Sequence, residues 1–224
     1  MYLNEHAKKH TNMDTNRKQI IKNAYDIAAK EYADKCFFEL YDKPLDKKLY
    51  DLFFERVVNK GSVIEIGCGP GEVSNYLKMK GLDIIGLDLS DKMIEIAIRL
   101  NPFIDFRIGD VFDLKFQDNS VAGIVAPYLI VNFKLDDILK AFSEIHRVLV
   151  NNGQLLISFY LGKGDLEIND FFFVKGNTIP YTYFDFDTIK DKLIETGFRI
   201  IEYINRMPYE GEIATSTYIF AEKK

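Results

Sequence analysis

Residues 63–71 read VIEIGCGPG, a short apolar run that carries one carboxylate, Glu65, and then breaks into three glycines at alternate positions. Glycine loses the most backbone freedom on ordering, so three in five residues mark a chain that must turn tightly or approach something closely. SVIEIG (62–67) is rich in β-branched residues and predicts a buried strand. GEVSNYLKMKG (71–81) predicts a helix closed by Gly81. A strand, a glycine turn and a helix, in that order, predict a ligand site beyond the carboxyl end of the strand, where backbone N–H groups face outward.

The same unit recurs on either side. DIIGLDLS (83–90) predicts a second strand, and Ser90 caps the helix DKMIEIAIRL (91–100), with Asp91 at its electropositive end. IDFRIGD (104–110), SVAGIVAP (120–127) and GQLLISFY (153–160) predict three more strands, with a long helix at LDDILKAFSEIHRVL (135–149). FDFDTIKDKLIETG (184–197) predicts a last helix, capped by Asp185 and stopped by Gly197. FRIIEYIN (198–205) and STYIFAEK (216–223) flank the loop MPYEGE and predict an antiparallel closing pair. Two helices precede this alternation. KQIIKNAYDIAAKEY (18–32) repeats Ile20, Ile21, Ala24, Tyr25, Ala28 and Tyr32 at helical spacing; after a break at Pro44, LDKKLYDLFFERVV (45–58) sets Leu49, Leu52, Phe53 and Val57 on one face. The expected fold is α/β, a doubly wound, mostly parallel sheet of seven strands with an antiparallel last strand and an N-terminal helical lid. Residues 1–17 read as a polar tail, with His6 and His10 solvated, and 18–224 as one domain: helices over 18–60, a ligand-binding half over 61–160 and a substrate-side half over 161–224.

Bulk properties narrow the function. The chain has 224 residues, a formal net charge of −5 and no long basic run, which argues against an obligatory nucleic-acid partner. No run of about 18 apolar residues predicts a membrane span, and the first residues do not read as a secretory signal. Two cysteines, Cys36 and Cys68, make neither a disulfide framework nor a metal motif, so the expected setting is the cytoplasm and no metal is expected.

Two ligand classes compete for the glycine turn. A dinucleotide site needs G-x-G-x-x-G, but Gly67, Gly69 and Gly71 leave the last gap one residue short, and Glu72 stands where the third glycine should fall. Glu65 and Glu72 would also repel a pyrophosphate, whereas a cationic ligand would find them attractive.

VIEIGCGPG resembles the first motif of class I S-adenosylmethionine-dependent methyltransferases, in the small-molecule, type 11-like group. The resemblance continues in order. IIGLDLS ends in Asp88, 17 residues after Gly71; FRIGDVFDL carries Asp110; HRVLVNNGQLLIS resembles the stretch before the fifth strand; AYDIAAKEY resembles a helix that lids the cofactor. It covers roughly residues 20–222 and implies S-adenosyl-L-methionine as cofactor, S-adenosyl-L-homocysteine as product, and methyl transfer to a small acceptor with O, N or C as nucleophile. It implies that Glu65 meets the methionyl ammonium, or else orders the loop, and that Gly67, Cys68, Gly69 and Gly71 bring backbone to the ligand. It further implies that Asp88 accepts the ribose hydroxyls and that Asp110 and Val111 meet the adenine. Leu89 and Met93 wall the ring, although Met93 reads equally well as core. Two departures are visible: Ala122 replaces an acid near the start of the fourth strand, which implies altered packing, and NNG replaces a Pro-Gly-Gly turn, which Asn151 or Asn152 can make.

On the acceptor side, Pro127, Tyr128 and Asn132 after the fourth strand and Tyr160 after the fifth are candidates, with Tyr25, Tyr32 and Tyr209 able to close the pocket. APYL stands where amino-group methylation of nucleic acids and proteins usually has N-P-P-[YF]. No general base stands out: His146 lies on a helix directed away from the strand ends, and Arg147 and Glu144 read as its structural neighbours. DFFFVKG (170–176) reads as a lid or core. The expected state is a monomer or homodimer. A nicotinamide-dependent oxidoreductase and a non-catalytic cofactor-binding protein of the same fold are the alternatives.

Overall fold

The computed structural model describes residues 15–212 and 214–224; His6 and His10 lie outside them. Helix α1 spans Thr15–Cys36 and so begins inside the stretch read as tail. Its polar first turn is held by charge rather than by an apolar face: Arg17 Nε donates to the Asn132 carbonyl, and Lys18 pairs with Asp110. After a 3-10 turn at Glu39–Asp42, α2 runs Pro44–Val57 with Pro44 in its first turn, where the missing N–H costs nothing. Leu49, Phe53 and Val57 are buried as the spacing predicts, but Leu52 and, on α1, Ile20 are exposed. The apolar stripes are narrower than sequence spacing alone suggests.

The alternating part then unfolds as β1 (Val63–Ile66), α3 (Glu72–Met79), β2 (Ile84–Asp88), α4 (Asp91–Leu100), β3 (Asp105–Ile108), β4 (Val121–Ala126), α5 (Leu135–Val148) and β5 (Leu149–Tyr160). The caps are those the sequence predicts. Ser90 Oγ accepts from Met93 N, and Asn152 takes the turn with a φ of 61°. A two-stranded antiparallel ribbon follows, β6 (Gly164–Ile168) with β7 (Ile179–Tyr183), which the sequence reading lacks. Most of β6 is exposed, so no apolar alternation announces it. The chain ends with α6 (Phe186–Glu195), β8 (Phe198–Arg206) and β9 (Ser216–Lys223).

Seven strands form one sheet in the order β3-β2-β1-β4-β5-β9-β8. All neighbours from β3 to β5 are parallel, and β9 is antiparallel to both β5 and β8. One apolar layer packs Phe142 and Ile145 of α5 and Leu193 of α6 against Ile64, Ile124 and Ile157; the other packs Phe53 and Val57 of α2 and Leu77 of α3 against Val63, Val125 and Tyr218. Alternation along β1 therefore turns Glu65 to the α2 and α3 side. Winding reverses between β1 and β4, which opens a crevice at their carboxyl ends. Two elements close over that crevice. α1 packs Ala24 and Ala28 against Phe171 and Ile179 of the ribbon segment, and Asn177 Nδ2 donates to the Ala24 carbonyl.

Candidate functional site

The crevice holds about 810 Å³ of empty space, its open mouth included. Twelve expected site residues line it. Gly67 and Gly69 form the floor, Asp88, Leu89 and Met93 one side, Asp110 and Val111 the far end, Pro127, Tyr128 and Asn132 the β4 side, and Tyr25 and Tyr32 the roof. Lys18, Phe112, Leu129 and Phe133 also line it and were not anticipated. Phe112 lies two positions after Asp110, within a stretch already singled out, and its ring rests 5.1 Å from that of Phe133.

The loop geometry explains the glycines separately. Gly69 has a φ of 51°, which spares the turn a strained side chain, and its N–H donates to Asp88 Oδ2 at 2.8 Å. Gly71 serves packing. A Cβ there would lie 2.6 Å from the Phe106 ring, and the residue does not line the crevice. Cys68 is likewise turned inward, 1% exposed, with burial raising its thiol pKa.

Asp88 accepts Gly69 N on one oxygen and Ser90 N on the other, each at 2.8 Å. A carboxylate offers about four lone-pair sites, so each oxygen keeps capacity for one more donor. Two adjacent hydroxyls would satisfy it. Burial pushes its carboxyl up to about 6, partly offset by those N–H bonds. Asp110 accepts Phe112 N at 3.0 Å and is engaged by the Lys18 ammonium. Its turn-forming role and its place at the crevice end coexist.

Glu65 lies in a second, smaller chamber, about 480 Å³ with its opening, which shares Tyr32, Gly67, Pro127 and Tyr128 with the crevice. Ser74 Oγ donates to Glu65 Oε2 at 2.5 Å, and burial, reinforced by Glu72, raises the Glu65 pKa well above the usual carboxylate range. Glu72 also lines this chamber, and its Oε2 is buried with no hydrogen-bond partner. Burial pushes the Glu72 carboxyl up to about 8, with Glu39 and Asp88 adding to the shift. The other acids here are compensated. Lys43 reaches Glu39 at 3.0 Å and Glu212 at 2.9 Å, and Arg206, 2% exposed, faces Asp46 at 2.7 Å and Glu212 at 2.6 Å. These partners outweigh burial and hold the Glu212 carboxyl down to about 2.

Tyr128 stands at the junction of the two spaces with a φ of 50°, a conformation that costs a bulky residue and persists only when its surroundings fix it. They do. Arg206 donates to its hydroxyl at 3.1 Å, Ser216 lies at 2.8 Å, and its N–H donates to Ser158 Oγ. The Tyr160 ring packs at a tilt against that of Tyr128, 4.9 Å between centres, rather than lining the crevice. Tyr209 is also elsewhere. Its hydroxyl accepts Leu45 N, and its ring covers the Arg206 guanidinium. Tyr25 donates to Asn132 Oδ1 at 3.1 Å, and Asn132 Nδ2 donates to the Pro180 carbonyl, so roof, β4 side and ribbon are tied together. His146 sits against Gly197 and Phe198, remote from the crevice, as its helix predicts. Arg147 and Glu144 pair with each other. Among the described residues, no His, Cys, Asp or Glu group could hold a metal ion, and no helix is long and apolar enough to cross a membrane.

Comparison with known proteins agrees with this geometry. Residues 64–157 match a family model described as a methyltransferase domain. The chain is 36% identical over 113 residues to demethylmenaquinone methyltransferase of Thermotoga maritima, covering 50% of this chain and 48% of that one. It is 30% identical over 146 residues to malonyl-[acyl-carrier protein] O-methyltransferase of Erwinia billingiae, covering 65% and 55%. The chain thus spans about half the length of these relatives. A SAM-dependent methyltransferase from Methanosarcina mazei superposes with a TM-score of 0.68 at 18% identity over 75% of this chain and 95% of that one, which shows a common fold. Residues 64–157, which hold the glycine turn and its acids, thus match the methyltransferase domain family, and three quarters of the chain shares its fold with a solved SAM-dependent methyltransferase.

Proposed function

We propose that this chain binds S-adenosylmethionine in the crevice and transfers its methyl group to a small organic acceptor through an O, N or C nucleophile. The observation that carries this reading is Asp88. It is a half-buried carboxylate at the end of β2, fixed by two N–H groups and with one acceptor site left on each oxygen, in a crevice whose glycine floor adjoins more acids than cations. That arrangement suits a nucleoside diol with a cationic tail and opposes a pyrophosphate, so the dinucleotide reading loses ground. Asp88 would hold the ribose, Asp110 and Val111 the adenine edge, and Leu89 and Met93 its faces. The relatives named above act, by their names, on a quinone precursor and on a carrier-bound malonyl group, and they support a small acceptor without fixing which.

The bound sulfonium supplies an already activated methyl carbon. The chain's own task is then to orient an acceptor and exclude water. Tyr25, Tyr32, Tyr128 and the ribbon close the space over the crevice and suit that task. Thermal unfolding with S-adenosylmethionine, S-adenosylhomocysteine or NAD tests the reading. A ligand at about 100 times its dissociation constant stabilises by roughly 2.7 kcal/mol. Stabilisation by the first two and not by NAD is expected; stabilisation by NAD alone would overturn it.

A further inference from the structure

The sheet has two edges, and they are not alike. At one, β8 is broken by a register shift between Ile200 and Glu202, and its charges Arg199 and Glu202 are held by Glu222 of β9 and Arg56 of α2. At the other, β3 runs in unbroken register along β2. The Gly109 N–H donates to the Asp88 carbonyl of β2. Residues alternate in direction along a strand, so Arg107 and Asp105 also turn their backbone groups to β2, and Phe106 and Ile108 turn theirs outward. Such an outward row is a template for another strand, and charges of one sign on it keep a second copy away. Here the two charges have opposite signs. Asp105 and Arg107 are both exposed, and among the described residues each pairs only with the other.

Apolar groups flank the same edge. Phe103, in the turn before β3, is 89% exposed and Ile108 is 60% exposed. Beside the strand lies a groove of about 750 Å³, its mouth included, walled by Leu87, Leu114 and Phe116 with Gly109 among its lining.

We propose that β3 pairs with β3 of a second copy of this chain, antiparallel about a two-fold axis through Phe106, to give a homodimer with one continuous sheet. The charges select the register. An antiparallel pair centred on Phe106 lets its outward N–H and C=O bond those of Phe106 in the second copy. Asp105 then faces Arg107 of the second copy and Arg107 faces its Asp105, at positions where side chains of opposed strands come closest. The contact is self-complementary, as a two-fold interface must be. Centring on Ile108, the other outward residue, would set Arg107 against Gly109 and Asp105 against Val111, and leave both charges unanswered. Giving up the exposed Asp105–Arg107 pair within each chain loses little. In the Phe106 register Phe103 comes level with Gly109 of the second copy, beside the groove, which offers its ring an apolar cover. The strand is four residues long, so the dimer is small in area, weak and concentration-dependent. None of this depends on what the crevice binds.

Sedimentation equilibrium on the full chain, from about 5 to about 500 µM, spans the range in which so small an interface associates. The mass should rise with concentration from that of one chain toward that of two. Asp105→Arg sets two cations against each other on both sides of the axis, and Arg107→Asp sets two anions; each should weaken association roughly tenfold or more. An equimolar mixture of these two variants should associate as the unsubstituted protein does, because each offers the sign the other lacks. The double variant Asp105→Arg, Arg107→Asp should do so alone. Both positions are exposed, and unchanged thermal unfolding shows that the variants fold. A mass of one chain throughout overturns the proposal. A dimer that both single variants leave intact overturns it as well, by placing the contact elsewhere. So do two monomeric variants that stay apart when mixed.

Discussion

Glu72 and Gly71 are adjacent and do opposite work. Gly71 exists for packing, so Gly71→Ala meets both a φ of 89° and the Phe106 ring, and should destabilise by about 2–3 kcal/mol in urea unfolding. Saturating S-adenosylhomocysteine should leave the gap between the two proteins unchanged, whereas it would widen the gap if the glycine served the ligand. Glu72 should show itself in pH dependence. Its folded carboxyl sits at about 8 against an ordinary value of 4.5, so between those limits the folded chain keeps a proton that the unfolded chain has lost. Stability without ligand should therefore fall as pH rises through that window, by up to about 1.4 kcal/mol per unit. Asp88, raised to about 6, adds in the same direction over its lower part. Glu72→Gln should flatten the melting-temperature curve from pH 5 to 8; an unchanged slope would show that Glu72 ionises normally. The sequence already set Glu72 against a phosphate ligand, because charge and spacing are local. Its chamber was not legible, since Glu39 and Asp46 approach it from more than 25 positions upstream.

Among the elements, the strand–turn–helix units were readable because apolar runs, Ser90, Asp185 and Gly81 mark their own ends. The β6–β7 ribbon was not, because an exposed ribbon buries no face and leaves no period to detect. The start of α1 was hidden for a related reason: Lys18 and Lys22 secure it through carboxylates far along the chain. Lys22 bridges Asp26 at 2.6 Å and Asp91 of α4 at 2.5 Å. Partly exposed pairs of this kind are worth up to about 1 kcal/mol each. Lys22→Ala should therefore leave global unfolding nearly unchanged while raising hydrogen exchange across residues 15–36 about fivefold, an effect that high salt should mimic in the unsubstituted protein. Equal protection in both proteins would show that the other ties of α1, to Asn132, Asp110 and the ribbon, suffice to hold the roof.

For the whole molecule, the doubly wound sheet followed directly from alternating strands and helices, and with it the crevice between β1 and β4. What alternation could not disclose is how the two ends of the chain are joined. Arg206 does this by touching Asp46 of α2, Tyr128 after β4, Glu212 of the last loop and Ser216 of β9. Arg206→Met leaves the buried Asp46 without its ion-pair partner and Glu212 with Lys43 alone, which should cost about 3–5 kcal/mol in urea unfolding. Arg206→Lys should recover little of it, because one ammonium cannot replace a guanidinium that serves four partners.

That junction also sets an order in time. β1 to β4, with the glycine turn, Asp88 and Asp110, are complete once residue 126 has been made. Tyr128 acquires its fixed position only when Arg206 and Ser216 arrive, some 80 to 90 residues later. During synthesis the strand ends that carry Asp88 and Asp110 are therefore made well before Tyr128 can be fixed. A chain stopped short of β9 would keep those carboxylates at their strand ends and leave Tyr128 without the contacts that hold it at the crevice.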